Sequence, residues 1–522
     1  MPPKPSPDEL LPFLLTDADI AMDGGDAPLP LLLERGREKV KQLAMHLRTI
    51  DDQGNERRSY AYATDIDVAY ATSDIHADFI ALLGLMRSAG LIELPATTSA
   101  GTIGGLLDAA LDAVWVPERT YLFVVGDLVD GRRPGQGENA NDPGSFELLV
   151  HVLLFNARIR ARQKGSDVVV TFGNHDLLSV YKTHEPLLDG HIHSKAWKYW
   201  ERYTRRTLRN RGLDTLLPAR TECPCADCSA LPQADLRRRR IREMRWKVLA
   251  PFYDCSPFLV FHIVYAGREE VSFVHGAFHA DNGQLLPARD LSAATRHIAQ
   301  DARRLQTLEP TPDVINVALN SRYYRDNAAV CKGDGVDATL LVVGHCATPY
   351  ITESDMRRGT CETGHNSCVI LRYKDKDERR CAKIVALVDT GMSGCMRVDD
   401  TEQIHLLKLT HIGFGRTMVR KLEQGNPAAF RRVMDRSRVG AHLPTRTVAT
   451  SVPPVPARGA PHELRTVSFA VSRVLVDTSL APDAAPVHVC THGTPARRGP
   501  MGAFVACATC DEVVANWVKP TT

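Results

Sequence analysis

The chain has 522 residues, 44% apolar and 24% charged, which suits two or three water-soluble domains or one enlarged one. Its formal net charge of +2 gives no global pull toward nucleic acid or an anionic membrane, and no apolar run approaches the roughly 18 residues a membrane span needs. The start, Met1-Pro-Pro-Lys-Pro-Ser-Pro, is proline-rich where a signal peptide would show a basic stretch and an apolar core, and 13 cysteines is an odd count, so a cytoplasmic protein with reduced thiols is expected.

Residues 1 to 28 mix Pro, Gly and Asp and show no periodicity, so 1–60 reads as an extension carrying one helix. That helix rests on a broken stripe of Leu31, Leu32, Leu33, Val40, Leu43 and Leu47 and runs through Arg48. Val68-Ala-Tyr-Ala-Thr is a short apolar run of strand character ending in Ser-Asp74-Ile-His76. A helix is predicted over Asp78 to Ala89, with a loop around Pro95 to Gly105. The strand Tyr121-Leu-Phe-Val-Val ends in Gly126-Asp127-Leu-Val-Asp130. Ser145 to Arg162 carries Phe146, Leu149, Val150, Leu153, Leu154 and Ile159 at helical spacing, and Asp167-Val-Val-Val-Thr-Phe then ends in Gly173-Asn174-His175-Asp176.

The interval 178–256 is long for a connection and predicts a helical insert that caps the core. Its basic stretches, Arg202 to Arg211 and Arg237 to Arg242, fit a patch for an acidic substrate but read first as solvated helix faces. Its Cys223, Cys225 and Cys228 can grip a structural zinc, with His191, His193 or Cys255 as the fourth ligand. Val271-Ser-Phe-Val leads to His275-Gly276, and Thr339-Leu-Leu-Val-Val to Gly344-His345. Phe414 to Met434 has a basic helical pattern, and 438–486 reads as a proline-rich linker with a strand at Thr466 to Val476. In 487–522, Cys490, His492, Cys507 and Cys510 have the spacing of a zinc-binding tail, against the plainer reading of an exposed tail with reactive thiols.

Five polar tips thus follow five buried strands, and in layered α/β folds such tips converge where strands open into loops. Asp74, His76, Asp127, Asn174, His275 and His345 offer carboxylate, amide and imidazole ligands, a set for two divalent ions: manganese, iron or zinc. One Asp-x-His in a chain with 19 histidines arises by chance, and His275 or His345 alone would be a satisfied core residue. Their joint order on strand ends carries the two-metal reading.

The motifs resemble those of the calcineurin-like metallophosphoesterases, and within them the phosphoprotein phosphatase branch. Phe-Val-His275-Gly276-Ala-Phe looks like its His-Gly-Gly segment. Gly344-His345-Cys-Ala-Thr and Val388-Asp389-Thr390-Gly391-Met392-Ser393 resemble segments of the bacterial-type, Shewanella-like serine/threonine phosphatases. The resemblance implies an α/β fold, a metallophosphoesterase β-sandwich flanked by helices, as one domain over 61–437 interrupted by the insert. It implies that Asp74 and His76 hold one metal, that Asn174, His275 and His345 hold the other, and that Asp127 bridges them. His175 would be the general acid, oriented by Asp130, and a hydroxide bridging the metals the nucleophile. Arg132 and Arg322 would bind substrate phosphate.

The sequence departs from the pattern at Gly131-Arg132, where arginine and glycine are exchanged, at Ser73 and Ala77, which replace glycines, and at Asp176, which replaces glutamate. Ser73 and Ala77 are tolerable where the backbone keeps ordinary φ/ψ. The implied function is dephosphorylation of a phosphoprotein. A nucleotide phosphoesterase, such as a dinucleoside polyphosphate hydrolase, and a non-catalytic metal-stabilised scaffold stand as alternatives.

Overall fold

The structure, a computed structural model, describes residues 21–22, 25–26, 28–52, 66–95, 103–131, 147–177, 209, 245–255, 259–265, 268–277, 313–320, 340–346, 360–361, 369–374, 380–390, 403–410, 417–419, 462–470, 496–498, 504–507 and 513–516. Its centre is built by the apolar runs. β1 (Val68–Thr72), β2 (Thr120–Val125) and β3 (Asp167–Thr171) lie parallel to one another. On its other edge β1 pairs antiparallel with β10 (Gln403–Thr410), which pairs in turn with β12 (His462–Ala470); β11 (Thr417–Val419) completes the sheet. The order is β11-β12-β10-β1-β2-β3.

A second six-stranded sheet contains β4 (Val260–Tyr265), β5 (Arg268–Val274), β6 (Leu340–Val343), β7 (Thr360–Cys361), β8 (Val369–Lys374) and β9 (Arg380–Leu387), in the order β7-β8-β9-β6-β5-β4. Here β5, β6 and β9 are parallel.

Alternation along each strand sorts side chains into layers. Ala69, Ala71, Phe123, Val125 and Val169 meet Phe261, Val271, Phe273, Leu340 and Val342 between the sheets, with Phe123 stacked on Phe273 at 3.9 Å between ring centroids. The intervening residues Tyr70, Leu122, Val124, Val168 and Val170 belong to a larger core shared with the helices. Those helices are α1 (Leu29–Asp52), α2 (Phe79–Ser88), α3 (Ile103–Asp112) and α4 (Glu147–Arg162). The short α5 (Asn174–Asp176) follows β3, and α6 (Asp313–Asn320) contributes Ile315, Ala318 and Leu319 to the same core. Residues 245–254 form a further helical segment. α2 begins where the Asp78 carboxylate accepts from the Ala81 N–H at 3.0 Å, an N-cap worth about 1 kcal/mol.

The β-sandwich flanked by helices is the expected architecture. Ala21–Met22 and Gly25–Asp26 form a small antiparallel pair in a stretch expected to be irregular. α3 begins at Ile103, inside the expected loop. Thr417–Val419 is a strand within the stretch read as helical, because Thr and Val suit the pleat and β12 supplies the pairing. β12 itself starts at His462, four residues ahead of the expected Thr466. Of the interval 178–256, residue 209 and residues 245–255 are described; the latter carry Val248, Leu249, Phe252 and Tyr253 into the main core.

Candidate active site

Register brings the tips together. Thr72 pairs with Val124 and Val124 with Val170, while Val343 pairs with both Val274 and Leu387. The first two tips run alongside each other, the N–H groups of Asp74, His76 and Ala77 donating to the carbonyls of Gly126, Asp127 and Leu128 at 3.0, 2.9 and 2.8 Å. The sheets are tied by the His345 N–H, which donates to Asp74 Oδ2 at 3.1 Å, and by His275 Nδ1, which donates to the Val125 carbonyl at 2.8 Å. The chain approaches itself too closely here for side chains at two glycines. A Cβ on Gly126 (φ +79°) would lie 2.6 Å from His275 Nδ1, and one on Gly173 would overlap Asp127.

Two groups of metal-type ligands result: Asp74, His76 and Asp127 form one, and Asp127, His275 and His345 the other. In each, one ligand atom per residue lies within 4.8 Å of the others, and Asp127 belongs to both. Asn174 joins the second group, its Oδ1 lying 3.0 Å from His275 Nε2 and 3.1 Å from His345 Nδ1.

The protein's own atoms say that a cation fits. His76 and His275 spend their Nδ1 protons on backbone carbonyls, Val129 O at 3.0 Å for His76, which turns each Nε2 into a ligand facing inward. His275 Nε2 then confronts Asp127 Oδ2 at 3.4 Å as well as Asn174 Oδ1, acceptors with no proton among them unless the ring is charged. Burial alone would depress the His275 imidazole, yet Asp127 and Asp74 push it up to about 10. Burial alone would likewise raise the Asp127 carboxyl, yet His275 and His175 hold it well below the usual carboxylate range. The pocket is built to be balanced by positive charge.

His175 stands beside these groups with its side chain 11% exposed, whereas those of His76 and His275 are fully buried. Its backbone N–H donates to Asp127 Oδ1 at 2.8 Å and its Nδ1 to Asp130 Oδ2 at 2.8 Å. Asp130 is held from behind by Arg245, whose Nη2 lies 2.6 Å from Oδ1, and Arg245 in turn pairs with Glu147. Asp176, buried, accepts from the N–H groups of Asp127, Leu128 and Gly173, each at 2.8 Å, and from the Tyr253 hydroxyl at 2.6 Å. One carboxylate thereby locks two tips together.

All six expected metal ligands and the His175–Asp130 pair thus converge, while Arg132 and Arg322 lie outside the described residues. So do Cys223, Cys225, Cys228, His191, His193, Cys490, His492 and Cys510; Cys507 ends the strand Phe504–Cys507 of a three-stranded sheet. Cys255 is a buried thiol donating to the Leu33 carbonyl at 3.2 Å, and burial pushes it up to about 12. The backbone at Ala77 is not ordinary: φ is +59°, the left-handed region that the family's glycine would occupy without strain. Sequence reasoning missed Arg245, Glu147 and Tyr253. Glu147 and Arg245 are 98 residues apart and no local motif links them.

The sequence profile of the calcineurin-like phosphoesterases matches residues 69–345, more than half of the chain, and the chain belongs to that family of metal-dependent phosphoesterases. No curated protein matches it. Among solved structures it is similar to a cold-active protein tyrosine phosphatase (15% identity, 67% of this chain and 75% of the other, TM-score 0.36). It is also similar to a cold-active protein-tyrosine phosphatase of a psychrophile, Shewanella sp. (14%, 66% and 76%, 0.34), and to a protein serine/threonine phosphatase of Saccharomyces cerevisiae (12%, 74% and 84%, 0.31).

Proposed function

We propose that the chain is a serine/threonine protein phosphatase that hydrolyses phosphomonoesters with His175 as general acid. The observation that carries the reading is Asp127: its carboxylate serves both ligand groups while the His175 backbone is bonded to it. Asp74, His76 and Asp127 would hold one divalent ion, and Asp127, Asn174, His275 and His345 the other, as manganese, iron or zinc. When bound, such ions neutralise charge on the phosphoryl oxygens and make water a better nucleophile near neutral pH.

The chain's own residues do the rest. Asp130 binds Nδ1 of His175, so the proton available to substrate is on Nε2. Arg245 and Glu147 offset each other, which leaves the Asp130 carboxylate to hold the Nδ1 proton of His175. As an oxygen from water bonds to phosphorus and the water's proton passes to solvent, the ester P–O bond breaks, and the departing serine or threonine oxygen takes the Nε2 proton. General acid catalysis of this kind contributes about 10²–10⁴ in rate. The choice of a phosphoprotein over a nucleotide rests on the Asp389-Thr390-Gly391-Met392 ending and the length of the insert 178–256. Cytoplasmic residence, expected from the cysteine usage, belongs to the same proposal.

The test is hydrolysis by the full-length chain supplied with manganese. Active wild type and inactive Asp127→Asn are expected with p-nitrophenyl phosphate, and inactivity with manganese, iron and zinc alike would support a scaffold instead. Faster turnover of a phosphoserine peptide than of diadenosine tetraphosphate is expected, and the reverse order would make the protein a nucleotide phosphoesterase.

A further inference from the structure

Behind the proton donor lies a residue that no motif announces. Arg245 is the first described residue of the helical segment 245–254 and is fully buried. Its Nη2 lies 2.6 Å from Asp130 Oδ1 and 2.5 Å from Glu147 Oε1, and its Nε lies 2.5 Å from Glu147 Oε2. Asp130 offers its second oxygen to His175 Nδ1 at 2.8 Å, and its backbone N–H donates to Glu147 Oε1 at 3.0 Å. A carboxylate with one oxygen unheld can turn about Cβ–Cγ and carry its partner with it. Here the guanidinium holds one oxygen, which leaves a single place for the other.

The backbone of Asp130 is left-handed (φ +68°), and Glu147, itself fixed by the guanidinium, holds that turn through the peptide N–H. Only a planar fork can serve both carboxylates in one plane; a lysine ammonium offers one point. Stability alone does not account for the arrangement. Arg245 Nη1 has no hydrogen-bond partner among the described residues, and apolar side chains of similar volume often replace buried ion pairs with no loss of stability.

We propose that Arg245 is a positioning residue for proton transfer: acting through Asp130, it fixes the His175 ring so that Nε2 meets the leaving oxygen. The proposal rests on the reading of His175 as general acid. In that step the ester P–O bond breaks, its electron pair stays on the departing oxygen, and this oxygen takes the Nε2 proton, leaving neutral imidazole. A good leaving group needs the proton little, and a serine alkoxide needs it greatly.

The experiment compares full-length wild type, Arg245→Lys, Arg245→Met and His175→Ala with manganese, on a phosphoserine peptide and on dinitrophenyl phosphate. The readout is the ratio of the two kcat values, which does not change when part of a variant is misfolded. His175→Ala is expected to lower that ratio about 100-fold and both Arg245 variants about 10-fold. A lowered ratio in His175→Ala with an unchanged ratio in both arginine variants would overturn the role of Arg245 alone. An unchanged ratio in His175→Ala would overturn the general-acid reading and this proposal with it.

Discussion

Asp74, His76, Asp127, Asp130 and His345 all have left-handed backbones, with φ between +45° and +68°. Such conformations cost about 1–3 kcal/mol each at non-glycine residues and persist where surroundings over-determine them. The surroundings here are the N–H to carbonyl bonds between neighbouring tips and the glycines that let those tips touch. Gly173→Ala would force a methyl against the Asp127 peptide and carboxylate; the expected loss is about 1–3 kcal/mol in urea unfolding and at least about 100-fold in kcat. A fully active Gly173→Ala would show that Asp127 need not sit where it does.

His151 makes a prediction about pH. It is buried, its Nδ1 donates to the Glu147 carbonyl at 2.7 Å, and burial pushes it down to about 4. Below its ordinary value near 6.5, the unfolded chain binds a proton that the folded one refuses. Stability is therefore lost as pH falls from about 6.5 toward 4, by up to about 3 kcal/mol. His151→Gln, which keeps a donor for that carbonyl, should flatten this part of the profile of urea midpoint against pH; a profile as steep as wild type would remove His151 as its cause.

At the scale of elements, the helical segment 245–254 has one inner face that serves the site twice, through Arg245 to Asp130 and through Tyr253 to Asp176. Tyr253→Phe removes a hydrogen bond to a buried carboxylate and should cost about 1–3 kcal/mol in urea unfolding, with kcat falling more than KM changes. An unaltered midpoint would mean that the three backbone donors to Asp176 suffice. α1 holds this segment from outside: Arg37 Nε lies 3.1 Å from Asp254 Oδ2, and Leu33 packs in the shared core. Leu33→Ala is expected to cost about 2–5 kcal/mol in the same assay, and a loss under 1 kcal/mol would mean that α1 docks loosely.

The same scale explains what was legible. A strand buried on both faces is a plain apolar run, and its tip stands out as the first polar residues after it, so Asp74, Asp127, Asn174, His275 and His345 could be read in order. The supporting layer could not. Glu147 opens a helix, where acidic residues are ordinary, and Arg245 lies near other arginines; only the folded chain shows that the two meet. The left-handed φ of Ala77 is equally invisible in the sequence, because it accompanies an N–H bond to the neighbouring tip.

For the molecule as a whole, the second ligand group joins Asp127 after a strand of one sheet to His275 and His345 after strands of the other, so bound metal should stabilise the fold and not only activate it. Each ion at 100 times its dissociation constant adds about 2.7 kcal/mol, and chelation should lower Tm by a few degrees, restored by manganese. An unmoved Tm would indicate that the ions do not bridge the sheets. Elemental analysis should find about two ions per chain for this centre, with any further zinc attributable to the cysteine clusters.

The pairing of β1 with β10 has a consequence for biosynthesis. Thr410 bonds across to Val68, so the leading sheet cannot close until the ribosome has made more than 340 further residues. Meanwhile β1, β2 and β3 emerge with one flank of β1 unclaimed, an adhesive edge that nascent chains shield with chaperones or bury by association. A recombinant fragment that stops at residue 345, where the family profile ends, would keep every proposed metal ligand and still inherit that edge, so expression trials should carry the chain past residue 410.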